Sequence, residues 1–141
     1  MMKTILALAL FFIVGITFGQ IPKQSSSITI IGDSSTKEKI IELLVTNGFG
    51  IKNVNNYAIQ TEVKQISYDN LLNTWEFDIN VSFVNDKFTF SIFWNAKGYR
   101  GQCSYKGLKS GADKVGFNEL NDILNSLGYG LTYNSYQVKK G

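Results

Sequence analysis

Two carboxylates, Glu76 and Asp78, stand two residues apart in a segment where apolar and polar side chains alternate. Successive side chains of a β-strand point to opposite faces, so this spacing places both carboxylates on one face. Paired carboxylates are able to act as general acid and base or to hold a divalent cation. That chemistry needs a cleft that shifts a pKa, which a flat solvated sheet face does not provide. We therefore interpret the pair first as part of the wet face of an antiparallel sheet and second as the catalytic pair of a hydrolase.

Histidine is absent from the chain, and Cys103 is its only cysteine. This composition excludes a serine–histidine–acid triad, a cysteine–histidine dyad and zinc sites built on imidazole. The glycine–lysine spacing over 107–111 is wrong for a phosphate-binding loop. We expect no metal and no cofactor, and any acid–base chemistry would fall to Asp, Glu, Lys or Tyr side chains.

Basic residues gather between Lys97 and Lys114, where Arg100, Lys106 and Lys109 stand against a single acidic residue. Mixed with two tyrosines, they are residue types that grip single-stranded nucleic acid or an acidic partner. The formal net charge of the whole chain is only +3, which is too weak to argue for nucleic acid. We interpret the stretch as a solvated loop and take Arg100, Lys106 and Lys109 as candidate binding residues.

Aromatic residues form 13% of the chain and supply rings that are able to stack on sugars or peptides. The alternation of side chains places Trp75 and Trp94 on the core face, so most of these rings are expected to serve packing. Phe93 falls instead on the polar face, across from Asp78. Phe93 and Tyr136 are therefore the aromatic candidates for binding.

The first 19 residues have the layout of a secretory signal peptide. Lys3 supplies a positive charge, and an apolar run follows over 5–18. That run is shorter than the roughly 20 apolar residues of a membrane span. We expect cleavage after Gly19, a flexible segment over 20–27 and one domain over 28–141. The expected location is secreted or periplasmic, with bacterial export favoured and no membrane span left after cleavage.

An exported domain with one cysteine forms no intramolecular disulfide, so its apolar core must hold the fold. Cys103 shares a predicted strand face with Tyr99 and Tyr105. This position favours a small buried apolar residue over a reactive thiol or an intermolecular bridge.

The periodicity of apolar residues predicts the elements that must position these side chains. The expected order is a strand over 28–31, a helix over 36–47, a strand over 57–68 with a bulge, a hairpin over 75–96, a strand over 99–105, a helix over 114–127 and a final strand from 129. Ser35 and Glu38 have capping-box spacing at the first helix, and Gly48 and Gly128 follow the helices. This order indicates an α+β fold, with an antiparallel sheet of four to six strands and two helices on one face, ferredoxin-like or similar.

The hairpin is the clearest of these elements. A two-residue turn at Asn85-Asp86 places four apolar pairs on one face of the two strands. The expected pairs are 83 with 88, 81 with 90, 79 with 92 and 77 with 94. A slip of one residue would mix the two faces, so the register is well specified. The helices should then cover the side that carries Phe77 and Trp94.

Export, the lack of histidine and an open polar sheet face favour a small non-catalytic domain that binds a protein partner or a ligand. Its binding surface would be the polar sheet face or the 97–114 loop. Two alternatives stay open at this point. One is a carboxylate-dependent hydrolase that uses Glu76 and Asp78, and the other is a structural component that pairs through its sheet edges.

Overall fold

The computed structural model describes residues 21–67, 74–105 and 111–135. Within these ranges the strands are β1 (Ser25–Ile31), β2 (Ile51–Val54), β3 (Ala58–Thr61), β4 (Lys64–Ser67), β5 (Thr74–Val84), β6 (Lys87–Ala96), β7 (Tyr99–Gln102) and β8 (Thr132–Ser135). The helices are α1 (Thr36–Thr46) and α2 (Ala112–Asn125). The chain is therefore α+β, as the sequence predicted.

The strands form one antiparallel sheet in the order β2-β3-β5-β6-β1-β8, with β4 also paired to β5 and β7 to β6. The predicted size of four to six strands was too small, because this sheet has eight. The strand expected over 57–68 is interrupted at Glu62 and Val63, and its two parts, β3 and β4, both pair with β5. The strand β2 was missed because only Ile51 of its four residues is shielded from solvent, which leaves no alternation to recognise. At the other end of the chain, β1 begins at Ser25, ahead of the expected start at Ile28.

The β5–β6 hairpin has the predicted register. Ile79 pairs with Ile92, and Val81 pairs with Phe90. At the turn, Asn85 has a φ of 53°, in the left-handed region that a tight hairpin turn requires. The register is thus set by the apolar pairs and by the turn together.

Both helices pack on the apolar side of this hairpin, as expected. One buried cluster joins sheet residues Ile28, Ile30, Ile59, Phe77, Ile79, Val81, Phe90 and Ile92 to helix residues Ile40, Leu44, Phe117, Leu120, Ile123 and Leu124. The helix α2 lies close to the sheet at Gly116, where an added Cβ would lie 2.6 Å from Phe77 Cε1 and 2.7 Å from Cys103 Sγ. Glycine is therefore required there by the distance between helix and sheet.

The capping box expected at α1 is wrong, because the Ser35 side chain makes no cap hydrogen bond to the helix. Asp33 organises this turn instead. Its Oδ1 accepts the Ser35 backbone N–H at 2.9 Å, and its own backbone N–H donates to Thr36 Oγ1 at 2.9 Å. Both helices are followed by glycine as predicted, with φ of 87° at Gly48 and 76° at Gly128.

No helix in the ranges that the structure covers is long and apolar enough to cross a membrane. The single cysteine, Cys103, is buried with a free thiol, so the fold contains no disulfide.

Candidate binding face

The sheet face opposite the helices carries polar side chains in register across neighbouring strands. Asn80 of β5 lies between Ser91 of β6 and Gln60 of β3, and Ser82 pairs with Thr89 one step along. We call this surface the polar face, meaning the side of the sheet that bears Asp78, Asn80 and Ser82 together with their neighbours on adjacent strands. Gln60 and Ser82 are exposed on it.

Asp78 is the most buried charged residue on the polar face, with 7% of its surface exposed. Arg100 of β7 donates to both of its carboxylate oxygens, from Nε to Oδ1 at 3.1 Å and from Nη2 to Oδ2 at 2.6 Å. Asn95 of β6 adds a third hydrogen bond to Oδ1 at 2.7 Å. Two-point pairing of this kind fixes the plane of the guanidinium as well as its position.

Arg100 also stacks on Phe93. The guanidinium carbon lies 3.6 Å from the centroid of the ring, well within the range of a cation–π contact. The β6–β7 pairing brings this about, because it sets Arg100 opposite Asn95 and Phe93 opposite Gln102. The structure therefore joins two predicted binding residues, Phe93 and Arg100, to the predicted catalytic candidate Asp78.

Glu76 is the other member of the predicted carboxylate pair. It shares the polar face with Asp78, as the strand alternation implied, but it is exposed. Its hydrogen bond is a long one, accepted from Gln65 Nε2 at 3.5 Å. The environments of the two carboxylates are thus different: Asp78 is enclosed and bound to a cation, whereas Glu76 faces solvent.

The basic stretch does not form one loop in the structure. Lys97 lies in the tight β6–β7 turn with a φ of 50°, Arg100 lies in β7 and Lys114 lies in α2. The other predicted binding residues, Lys106, Lys109 and Tyr136, are outside the described residues.

Two adjoining hollows open on the polar face. The first, of about 250 Å³, is lined by charged residues of both signs, including Lys52, Glu62 and the Asp78–Arg100 pair. The second, of about 200 Å³, is lined mainly by small hydroxyl and amide side chains and by Phe93. Gln60 and Asn80 line both hollows, so the two adjoin at these residues.

Cys103 lies on the opposite, apolar side of the sheet. Burial raises the pKa of its thiol to about 12, and the nearby negative charge of Asp113 adds to the rise. A thiol held in its neutral form is a poor nucleophile, which agrees with the packing role expected for it. In the described ranges no group of three or more Cys, Asp or Glu side chains is placed to hold a metal ion.

Sequence reasoning missed Asn95, Gln60 and Lys52 as members of this face. Asn95 continues the alternation of β6, so its face was available from the pattern. Gln60 lies on the polar side of the predicted 57–68 strand, but its neighbour on the face depends on the pairing of β3 with β5, which no local pattern indicates. Lys52 lies in β2, the strand that carried no recognisable pattern.

Comparison with protein-family models, with curated proteins and with solved structures finds no match to the chain. Its function is therefore argued from the geometry of the polar face.

Proposed function

We propose that this protein is a small exported, non-catalytic binding domain that engages its partner or ligand through the polar face. The observation that carries the proposal is the Asp78–Arg100–Phe93 cluster. It holds a cationic, planar group in one orientation beside two adjoining hollows. Side chains ordered before binding lose less conformational entropy on association, which favours recognition.

The exposure of side chains on the polar face supports the same proposal. Gln60 and Ser82 lie in the middle of the face and are exposed, while both helices pack on the other side of the sheet. The side chains of Gln60, Asn80 and Ser82 make no hydrogen bond to any other residue within 21–67, 74–105 and 111–135. Their donors and acceptors are therefore available to a ligand.

The binding experiment compares capture by the native protein with capture by two variants. Ser82→Arg places a bulky charge in the middle of the polar face, and Thr46→Arg places the same group on exposed α1 as a matched control. We expect immobilised native protein and Thr46→Arg to retain a component of the extracellular or periplasmic fluid that Ser82→Arg does not retain. Equal capture by all three proteins would contradict binding through this face.

Export is part of the proposal, and the apolar leader supports it. Mass spectrometry of the protein from producing cells should find Gln20, cyclised or not, as the first residue. A chain that retains Met1 would overturn the proposed location.

The hydrolase alternative depends on Glu76 and Asp78. The three hydrogen bonds to Asp78 do not favour it, because they engage both oxygens of the carboxylate and pair it with a cation. Hydrolase activity that Glu76→Ala abolishes, in a variant that keeps the native fold, would replace the binding proposal. The assembly alternative predicts oligomers that grow with concentration in sedimentation experiments.

We further propose that the central part of the sheet is ferredoxin-like. The support is the continuous order β8-β1-β6-β5, with α1 following β1 and α2 preceding β8. The strands β2, β3, β4 and β7 would then be additions to that arrangement. An experimental structure that placed β1 at a sheet edge would overturn this, and the arrangement by itself implies no function.

A further inference from the structure

The polar face has a regular chemical pattern across β3, β5 and β6. Rows of short neutral side chains cross these strands, with Ser82 beside Thr89 and, in the next row, Gln60, Asn80 and Ser91 side by side. Hydroxyl and amide groups each offer both donors and acceptors. A ligand that lies on these rows therefore meets both kinds of hydrogen-bonding group at every step.

At one side of this pattern the polar side chains already form hydrogen bonds with each other. On β1 and β8, Asn134 Nδ2 donates to Thr29 Oγ1 at 2.8 Å, and Thr29 Oγ1 lies 3.0 Å from Thr89 Oγ1. Gln60, Asn80 and Ser82 differ, since these side chains make no hydrogen bond to other residues in the described part of the chain. Gln60 and Asn80 lie where the two hollows adjoin, and Ser82 lines the second hollow.

The shape of the site favours an elongated ligand. Each hollow, at about 250 and 200 Å³, is smaller than the roughly 300–1,000 Å³ of a pocket that encloses a compact small molecule. The two adjoin at Gln60 and Asn80, so an elongated ligand that reaches both would lie over these two side chains. Such a ligand would cross β3 and β5 at this row.

The charge of the site favours a neutral ligand. In the first hollow Lys52 and Arg100 are balanced by Glu62 and Asp78, and the second is lined by uncharged side chains. Nucleic acids and other polyanions are bound by surfaces with an excess of Lys and Arg. This face has no such excess.

The polarity of the site also disfavours a standard protein interface. Protein interfaces have a desolvated core with aromatic or aliphatic anchors. The large exposed apolar residues Ile31 and Val84 instead lie at one end of the face, on either side of Lys87. At its centre Phe93 is partly buried, and one side of its ring contacts Arg100.

We propose that the polar face binds a neutral polyhydroxylated chain, that is, an oligosaccharide lying across β3, β5 and β6. Sugar hydroxyls donate and accept hydrogen bonds, so they complement the side chains of Gln60, Asn80 and Ser82. The Arg100–Phe93 stack forms a rigid wall beside them. The inference rests on the proposed function, whose binding surface it shares.

The experiment follows the side-chain amide signals of Gln60 and Asn80 by nuclear magnetic resonance. The probes are neutral hexasaccharides of α-linked glucose, β-linked glucose, mannose, xylose and N-acetylglucosamine. Heparin serves as a charged control. At least one neutral hexasaccharide should shift both amide signals, with saturation. Asn80→Ala should weaken that binding at least tenfold, whereas Thr46→Ala on α1 should leave it unchanged.

Each result has a defined meaning. No shift with any neutral hexasaccharide, shifts with heparin alone, or equal binding by Asn80→Ala would overturn the carbohydrate inference. If capture experiments with Ser82→Arg still show a face-dependent partner, the proposed binding function survives while the carbohydrate inference fails. If both experiments fail, the proposed function fails as well.

Discussion

The guanidinium group of Arg100 lies over the ring of Phe93, with 3.6 Å between its central carbon and the ring centroid. The two residues come from adjacent strands, and Asp78 on a third strand holds the same guanidinium through two hydrogen bonds. This contact connects a polar sheet face with a single well-oriented cation.

Arg100→Ala should lower the free energy of unfolding by about 1–3 kcal/mol, because it leaves the enclosed Asp78 carboxylate with Asn95 alone. The loss should lie in the lower half of that range, since 42% of the Arg100 side chain is exposed to solvent. Urea unfolding monitored by tryptophan fluorescence measures it. The double variant Asp78→Asn/Arg100→Gln should recover part of the loss, because no charge is then left without its partner. An unchanged midpoint for Arg100→Ala would contradict a structural role for the pair.

Phe90→Ala should be among the most destabilising substitutions in the hairpin. Phe90 is fully buried, and truncation of such a ring costs about 3–5 kcal/mol through lost burial and the cavity that remains. Ser82→Ala on the exposed face of the paired strand is the matched control, with an expected change within about 0.5 kcal/mol. Comparable effects for the two variants would contradict the assignment of one buried and one exposed face to the hairpin.

Gly116→Ala should destabilise the protein although alanine favours helices by about 1 kcal/mol over glycine. The new methyl group would lie 2.6 Å from Phe77 and 2.7 Å from Cys103, so α2 or the sheet must shift. We expect the free energy of unfolding, measured with guanidinium chloride, to fall by about 1–3 kcal/mol. Asn118→Ala in the same helix should be neutral or stabilising, and a stabilising Gly116→Ala would show that α2 lies farther from the sheet.

Stability should fall in alkaline solution because of Cys103. Its pKa in the folded state is about 12, whereas the pKa of a thiol in an unfolded chain is about 8.5. Between these two values the unfolded state loses its thiol proton first, so the balance moves toward unfolding as the pH rises. At pH 10 this titration should lower the free energy of unfolding by about 1–2 kcal/mol relative to pH 7.

The measurement is urea unfolding of the native protein and of Cys103→Ala at pH 7 and pH 10. The native protein should lose more stability between the two conditions than the variant, since lysine and tyrosine titrations are common to both. A thiol reagent should react with the native protein only at the rate of unfolding. Rapid labelling at pH 7 would show instead that Cys103 is accessible.

The local and periodic parts of this fold are predictable from the amino-acid sequence alone. The β5–β6 register follows from side chains that alternate with a period of two, because any slip exposes the whole apolar set. The positions of α1 and α2 follow from apolar spacing and from glycines at their ends. These features need no knowledge of distant residues, and the sequence predicted them well.

The way in which those elements pack against one another is visible only in the folded protein. Asp78, Phe93 and Arg100 were each singled out from the pattern, but as a catalytic residue, an exposed ring and part of a basic loop. Their contact depends on the pairing of β7 with β6. The size of the sheet depends on the pairing of both β3 and β4 with one edge of β5. Strand pairing joins residues that are far apart in the chain, and its free energy comes from cross-strand contacts that no local pattern records.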